Sequence, residues 1–125
     1  MPAITHTDLP SEPMREGSTY QTLVGDKQGT TPLFIGIQTA PPGYKTQLHS
    51  HPYMEIITVL EGEGEAWLED TDGIVALRAG MSLVMPAGIK HWFCAIGEKP
   101  LKIMGVHASP NRTVDVHVCR SQSST

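Results

Sequence analysis

In the stretch "GYKTQLHSHPYMEIITVLEG", residues 43 to 62, His49 and His51 stand one residue apart and Glu55 follows four positions after the second, just ahead of a β-branched run. Residues at i and i+2 of a strand point to the same face, so the two imidazoles address one point. A short turn through Pro52 brings Glu55 round to the same side. Two nitrogens and a carboxylate on one face are potential ligands for a transition metal. Taken singly, each residue is ordinary: two surface histidines and a solvated glutamate at a strand start.

The elements that must position them are short. The runs "YQTLV", "PLFIGIQTA", "TQLHSH", "EIITVLEG", "EAWLED", "GIVALRAG", "SLVMPAG", "HWFCAI", "LKIMGVHA" and "VDVHVC" are separated by turn signals and have strand lengths. Twelve glycines and ten prolines interrupt any candidate helix, and apolar positions recur with period two rather than 3.6. An all-β, antiparallel sheet or barrel is expected. Parity places Ala66 and Leu68 on the protected face of "EAWLED", with Glu65, Trp67 and Glu69 opposite, and groups His91, Phe93 and Ala95 on one face of "HWFCAI". Cys94, of opposite parity to His91, is expected outside the barrel. Residues 1 to 18, rich in Pro, Thr, Ser and Glu, look like an N-terminal extended arm, residues 19 to 119 like the barrel, and residues 120 to 125 like a mobile C-terminal tail.

A length of 125 residues suits a single domain, and a net charge of −4 with scattered basic residues offers no footprint for nucleic acid or anionic lipid. No apolar run approaches a membrane span, and the N-terminus lacks the basic-then-apolar order of a secretory signal, so a cytoplasmic protein with neither partner is expected. In that setting Cys94 and Cys119 are read as reduced thiols, and Asn111-Arg112-Thr113, although it matches a glycosylation triplet, as a turn after Pro110. No helix-turn-helix pattern accompanies the chain, which sets aside a DNA-binding regulator.

Gly43, His49, His51, Glu55 and Gly62, followed after the spacer 63 to 79 by Gly80, Pro86, Gly88 and His91, resemble in order and spacing the two motifs of the cupin superfamily. The resemblance spans residues 43 to about 95. It implies a small single-domain cupin, a jelly-roll-like β-barrel, in which His91 completes a metal site with His49, His51 and Glu55. Three imidazoles and a carboxylate suit Fe, Mn, Ni, Zn or Cu and leave positions open for water, dioxygen or substrate. One position departs from the pattern: the second motif usually closes with an asparagine where this chain has Ala95. That residue is not a ligand, so the change removes a pocket hydrogen bond and makes the cavity more apolar.

The implied function is metal-dependent chemistry on a small organic molecule, of oxygenase (including dioxygenase), isomerase or lyase type, with Glu55 also carrying a proton. The alternative is a cupin that binds or senses without turnover, because proteins sharing these motifs include both. Thiol dioxygenases, which resemble this barrel, typically lack the glutamate. Cavity-lining candidates are Gln38, Gln47, Tyr53, Ile57, Leu68, Met85, Phe93 and His107, with Tyr44 at the rim, while His6 and His117 look structural or exposed. No Arg or Lys lies within the motif face, which argues against a doubly anionic sugar phosphate. A homodimer is expected, because Ile56, Leu60 and Trp67 are apolar at outward positions and the arm can extend a partner's sheet edge.

Overall fold

Alternation of burial along the chain builds two facing sheets. The structure, a computed structural model, describes residues 3–117. Within them run strands β1 (Glu12–Pro13), β2 (Thr19–Val24), β3 (Phe34–Ala40), β4 (His49–Ser50), β5 (Glu55–Glu61) and β6 (Glu63–Leu68). They are followed by β7 (Ile74–Arg78), β8 (Ser82–Met85), β9 (His91–Ile96), β10 (Leu101–His107) and β11 (Asp115–Val116). Each β-rich run of the sequence carries one of these strands. Two three-residue 3-10 turns, His6–Asp8 and Arg15–Gly17, are the helical elements among the described residues. The all-β expectation holds. Cys119 and the tail 120 to 125 lie outside the described residues.

The strands pair in the orders β1-β2-β3-β10-β5-β8 and β11-β4-β9-β6-β7, antiparallel throughout. Inward residues of both sheets meet in one core that contains Ile57, Val59, Ala66, Leu68, Leu77, Met85, Phe93, Leu101 and Ile103. Ala66 and Leu68 are buried while the alternating residues Glu65 and Trp67 are partly exposed, as their parity requires. His91, Phe93 and Ala95 are likewise buried together. Ala95, where the resemblance leads one to look for asparagine, packs among core residues. Cys94 sits on the outer face, opposite Glu65.

The N-terminal segment folds back on its own chain. Glu12 and Pro13 pair with Tyr20 and Thr19, and Gln21 Nε2 donates to the carbonyls of His6 and Leu9. The larger sheet thus ends in a two-residue strand that contains a proline, a short edge that offers little to another chain. On the outer face of the same sheet Ile35, Val106, Ile56 and Val84 stand in register across four strands, an apolar row open to solvent at Val84. No helix of the described residues is long and apolar enough to cross a membrane.

The turn from β5 to β6 shows how tightly the ends are fitted. Gly62 has φ +84°, and a Cβ there would come within 2.3 Å of the Pro100 carbonyl oxygen. Gly73 has a similar φ of +78° but open space around it. Gly62→Ala is therefore expected to cost about 2–4 kcal/mol, backbone strain plus steric overlap, against about 1 kcal/mol for Gly73→Ala, where strain acts alone. Urea denaturation of both variants checks the ranking, and equal costs would show that the Pro100 contact relaxes freely.

Candidate metal centre

Two cross-strand pairs, one in each sheet, assemble the site. His49 on β4 lies opposite His91 on β9, and Glu55, the first residue of β5, lies opposite His107, the last of β10. His51 follows His49 on the same face. The ligand atoms of His49, His51 and His91 all fall within 4.8 Å of one another, as do those of His51, Glu55 and His107. His51 and Glu55 join the two groups: His51 Nε2 is 2.9 Å from Glu55 Oε1, His91 Nε2 is 3.8 Å from the same oxygen, and His107 Nε2 is 3.3 Å from Oε2.

The backbone fixes which nitrogen each ring turns inward. His49 Nδ1 donates to the Gln47 carbonyl at 2.7 Å, His51 Nδ1 to that of Thr113 at 2.6 Å and His91 Nδ1 to that of Ile89 at 2.9 Å. A carbonyl only accepts, so in each neutral ring the proton sits on Nδ1 and Nε2 keeps its lone pair. His51 Nε2 and His91 Nε2 are buried and face the same carboxylate oxygen, Glu55 Oε1, at 2.9 and 3.8 Å. Lone pairs facing a carboxylate repel unless a cation stands between them. The donor set therefore fits a divalent transition metal, with each histidine held from behind as such ligands usually are.

His107 is arranged differently. The Tyr53 hydroxyl accepts the Thr113 N–H at 3.0 Å and lies 2.8 Å from His107 Nδ1. The Glu55 carboxylate only accepts, so the His107 proton sits on Nε2, facing Glu55 Oε2, and the hydroxyl, which also lies 3.2 Å from the Thr113 carbonyl, can donate to the free Nδ1. His107 thus holds one carboxylate oxygen and leaves the other for the cluster. Gly105 makes room, since a Cβ there would stand 3.0 Å from Glu55 Oε2.

Burial and neighbouring charge set the protonation states. Burial, reinforced by His91, pushes His49 down to about 4. Burial does the same to His107, to about 4, against the opposing pull of Glu55. His91 is lowered by burial as well. Burial also works against a charged His51, but its contacts with Glu55 and the Thr113 carbonyl outweigh it and raise the group. Burial would raise Glu55, yet the contact with His51 and the charges of His107, His51 and His91 hold it below the ordinary carboxylate range.

A cavity of about 220 Å³ opens over the cluster. Of the residues expected on its wall, Gln38, Gln47, Phe93 and His107 line it, whereas Ile57, Leu68 and Met85 lie in the core instead. Tyr53 stands behind His107. Leu68, the strand partner of His91, belongs to the apolar cluster. Residues the motifs do not announce complete the rim: Met14 and Arg15 from the N-terminal segment, and Arg112, Val114 and Val116 from the segment that follows β10. The motif face indeed holds no cation, but Arg15 and Arg112 bring two to the mouth from outside it. No sequence signal marked them, because they are remote in the chain from both histidine motifs. His117, which donates its backbone N–H to the Leu48 carbonyl and meets Ser50 Oγ at 2.7 Å, pins this last segment beside β4.

Residues 36–107 match the family described as a cupin domain. Protein SchB of Streptomyces halstedii is 29% identical over 108 residues, covering 86% of this chain and 76% of its own. Auxin-binding protein 1 of Arabidopsis thaliana is 26% identical over 113 residues, 83% of this chain and 57% of its own, so the chain spans little more than half of that relative. Among solved structures, the polyketide cyclase RemF from Streptomyces resistomycificus superposes with a TM-score of 0.81 at 22% identity, over 95% of this chain and 87% of that one, a likeness of fold.

The histidine pKa shifts give the metal-free protein a definite pH response. His49 and His107 titrate near 4 when folded and near 6.5 in an unfolded chain. Below pH 6.5 the unfolded state therefore binds protons that the folded state refuses, and stability must fall as pH falls toward 4. His51, raised in the fold, works at the other end: its contribution is complete below 6.5 and lost as pH rises through its folded value. Denaturant midpoints of chelator-treated protein should drop between pH 6.5 and 4.5, and His49→Gln should flatten that slope. An unchanged slope would place His49 in solvent.

Proposed function

The chain belongs to the cupin domain family, and on that footing we propose that it is a metal-dependent enzyme acting on a small organic molecule, with His49, His51, Glu55 and His91 as ligands of one divalent metal. The observation that carries the proposal is the clustering of three backbone-oriented imidazoles, His49, His51 and His91, two of which face Glu55 Oε1, at the floor of a cavity. Fe, Mn, Ni, Zn and Cu all suit this donor set. When bound, the metal supplies Lewis acidity or oxygen activation at its open positions.

The chain's own residues do the rest. The three imidazoles hold their positions through the backbone carbonyls of Gln47, Thr113 and Ile89. Phe93, Ile103, Val114 and Val116 give the cavity its apolar wall, which limits water and strengthens electrostatic contacts inside. Glu55, fixed through Oε2 by His107 and Tyr53, is the ligand best placed to carry a proton to or from the substrate. Names among the relatives support both an enzyme, in the polyketide cyclase RemF, and a binder, in the auxin-binding protein. The second supports the alternative, a cupin that binds or senses its ligand without turnover.

Elemental analysis separates the claims. His51→Ala and His91→Ala should each lower metal content sharply while the barrel still folds, since its stability comes from the apolar core. Undiminished metal in both would remove the assignment. Turnover of a panel of small enols, phenols and hydroxy-ketones by protein loaded with each of the five metals then tests catalysis. Glu55→Gln should keep part of the metal and lose about 10²-fold in rate. Activity in verified metal-free protein would end the metal mechanism, and tight ligand binding with no turnover in any metal form would select the sensing alternative.

A homodimer completes the proposal. The row Ile35, Val106, Ile56 and Val84 offers one apolar face, and such faces mark interfaces. Light scattering at micromolar concentration should give twice the chain mass of 13.6 kDa, and Val84→Glu should shift it toward one. A monomeric wild type would reject the dimer.

A further inference from the structure

The cavity mouth carries a charge that the metal site does not use. Arg15 and Arg112 both reach the cavity wall, but they are not equivalent. Arg15 is committed: it pairs with Glu16 at 2.8 Å, donates to the Lys45 carbonyl and lies over the Tyr44 ring, 5.4 Å from its centroid. Arg112 has no carboxylate partner among the described residues; its guanidinium lies 4.8 Å from the centroid of the Tyr20 ring.

Its position is fixed by the site itself. The next residue, Thr113, accepts from His51 Nδ1 and donates to the Tyr53 hydroxyl, so the backbone that carries Arg112 is tied to one proposed ligand and to the group behind Glu55. An exposed arginine ordinarily sweeps a wide volume. Here the Tyr20 ring and two hydrogen bonds one residue away hold it between this cavity and a second one that it lines together with Glu12, Tyr20 and Asp26.

We infer that the substrate is a small organic carboxylate, taken by Arg112 through its carboxylate while a second oxygen of the same molecule faces the histidine–glutamate cluster. The inference rests on the metal-dependent reading of the same cavity and narrows it. A guanidinium offers a planar pair of N–H donors that matches a carboxylate and holds it in one orientation. The cavity, about 220 Å³, has the volume of roughly seven waters at ~30 Å³ each, so the molecule is compact. Phe93, Ile103, Val114 and Val116 suit an apolar body between the two oxygen-bearing ends. One cation without a carboxylate partner among the described residues favours a single carboxylate over a phosphate that demands several donors.

The test compares acids with their uncharged amides. Calorimetry is run with 3-hydroxybenzoate and 4-hydroxyphenylacetate, and with the corresponding carboxamides, on the metal-loaded full chain, on chelator-treated protein and on the variants Arg112→Gln and Arg112→Lys. At least one acid should bind wild type about 10-fold or more tightly than its amide, the scale of a hydrogen-bonded charge pair. The preference should survive metal removal, collapse in Arg112→Gln, persist in part in Arg112→Lys and weaken with added salt. Metal content, measured in parallel, should be unchanged in both variants, and their melting curves confirm folding. Equal binding of acids and amides by wild type, or no binding of either, overturns the substrate class. A preference that disappears with the metal but persists in Arg112→Gln assigns the carboxylate to the metal and overturns the role of Arg112 while leaving the metal reading intact. A protein that binds no metal yet keeps an Arg112-dependent preference would do the reverse.

Discussion

Three imidazole protons held by three backbone carbonyls organise this molecule. Gln47, Thr113 and Ile89 each take an Nδ1–H, and the consequence is that every lone pair of the set points inward. A side-chain partner in that role would itself need positioning, whereas a carbonyl is placed as soon as the strand is. Two of the three acceptors lie two residues before the histidine they hold, so those rings are oriented by their own strand entries. The third, Thr113, comes from the far end of the chain and makes the site depend on the barrel being closed.

The inner faces then do two separate jobs in one continuous wall. Toward one end Ile57, Val59, Leu101 and Ile103 pack without polar atoms, and at the other the same strands present Glu55 and His107. The transition occurs within a single strand pair. That geometry explains why Glu55 can remain ionised although buried: five polar neighbours surround it, counting His51, His91 and His107 in contact and Tyr53 and Thr113 behind them. The apolar floor beneath gives those groups a rigid base.

How much of this could be read from the letters alone depends on sequence distance. The strands were legible because burial repeats every second residue, and the inward set His91, Phe93 and Ala95 followed from parity. His49, His51 and Glu55 share one short segment, so strand geometry alone joined them, and the resemblance supplied His91. The register that sets His107 against Glu55 was not legible, since pairing of β5 with β10 is decided by the whole sheet. Parity tells inward from outward but not depth along the barrel, so it does not separate the cavity wall from the core positions Ile57, Leu68 and Met85. Arg15 and Arg112 were invisible for a different reason: they sit in irregular segments without periodicity, and only the closed fold carries them to the mouth.

The contact at Thr113 has a consequence for how such a protein can change over time. What the site takes from this position is a carbonyl and an N–H, groups that nearly every amino acid provides. The identity of residue 113 is therefore loosely constrained, proline excepted, while its place in the chain is strict. One residue inserted or removed between β10 and β11 would shift that carbonyl away from His51 and move Arg112, Val114 and Val116 out of step with the mouth. The segment is free in composition and fixed in length. New ligand preferences can arise there by substitution, with the histidine grip untouched, but not by lengthening or shortening the loop.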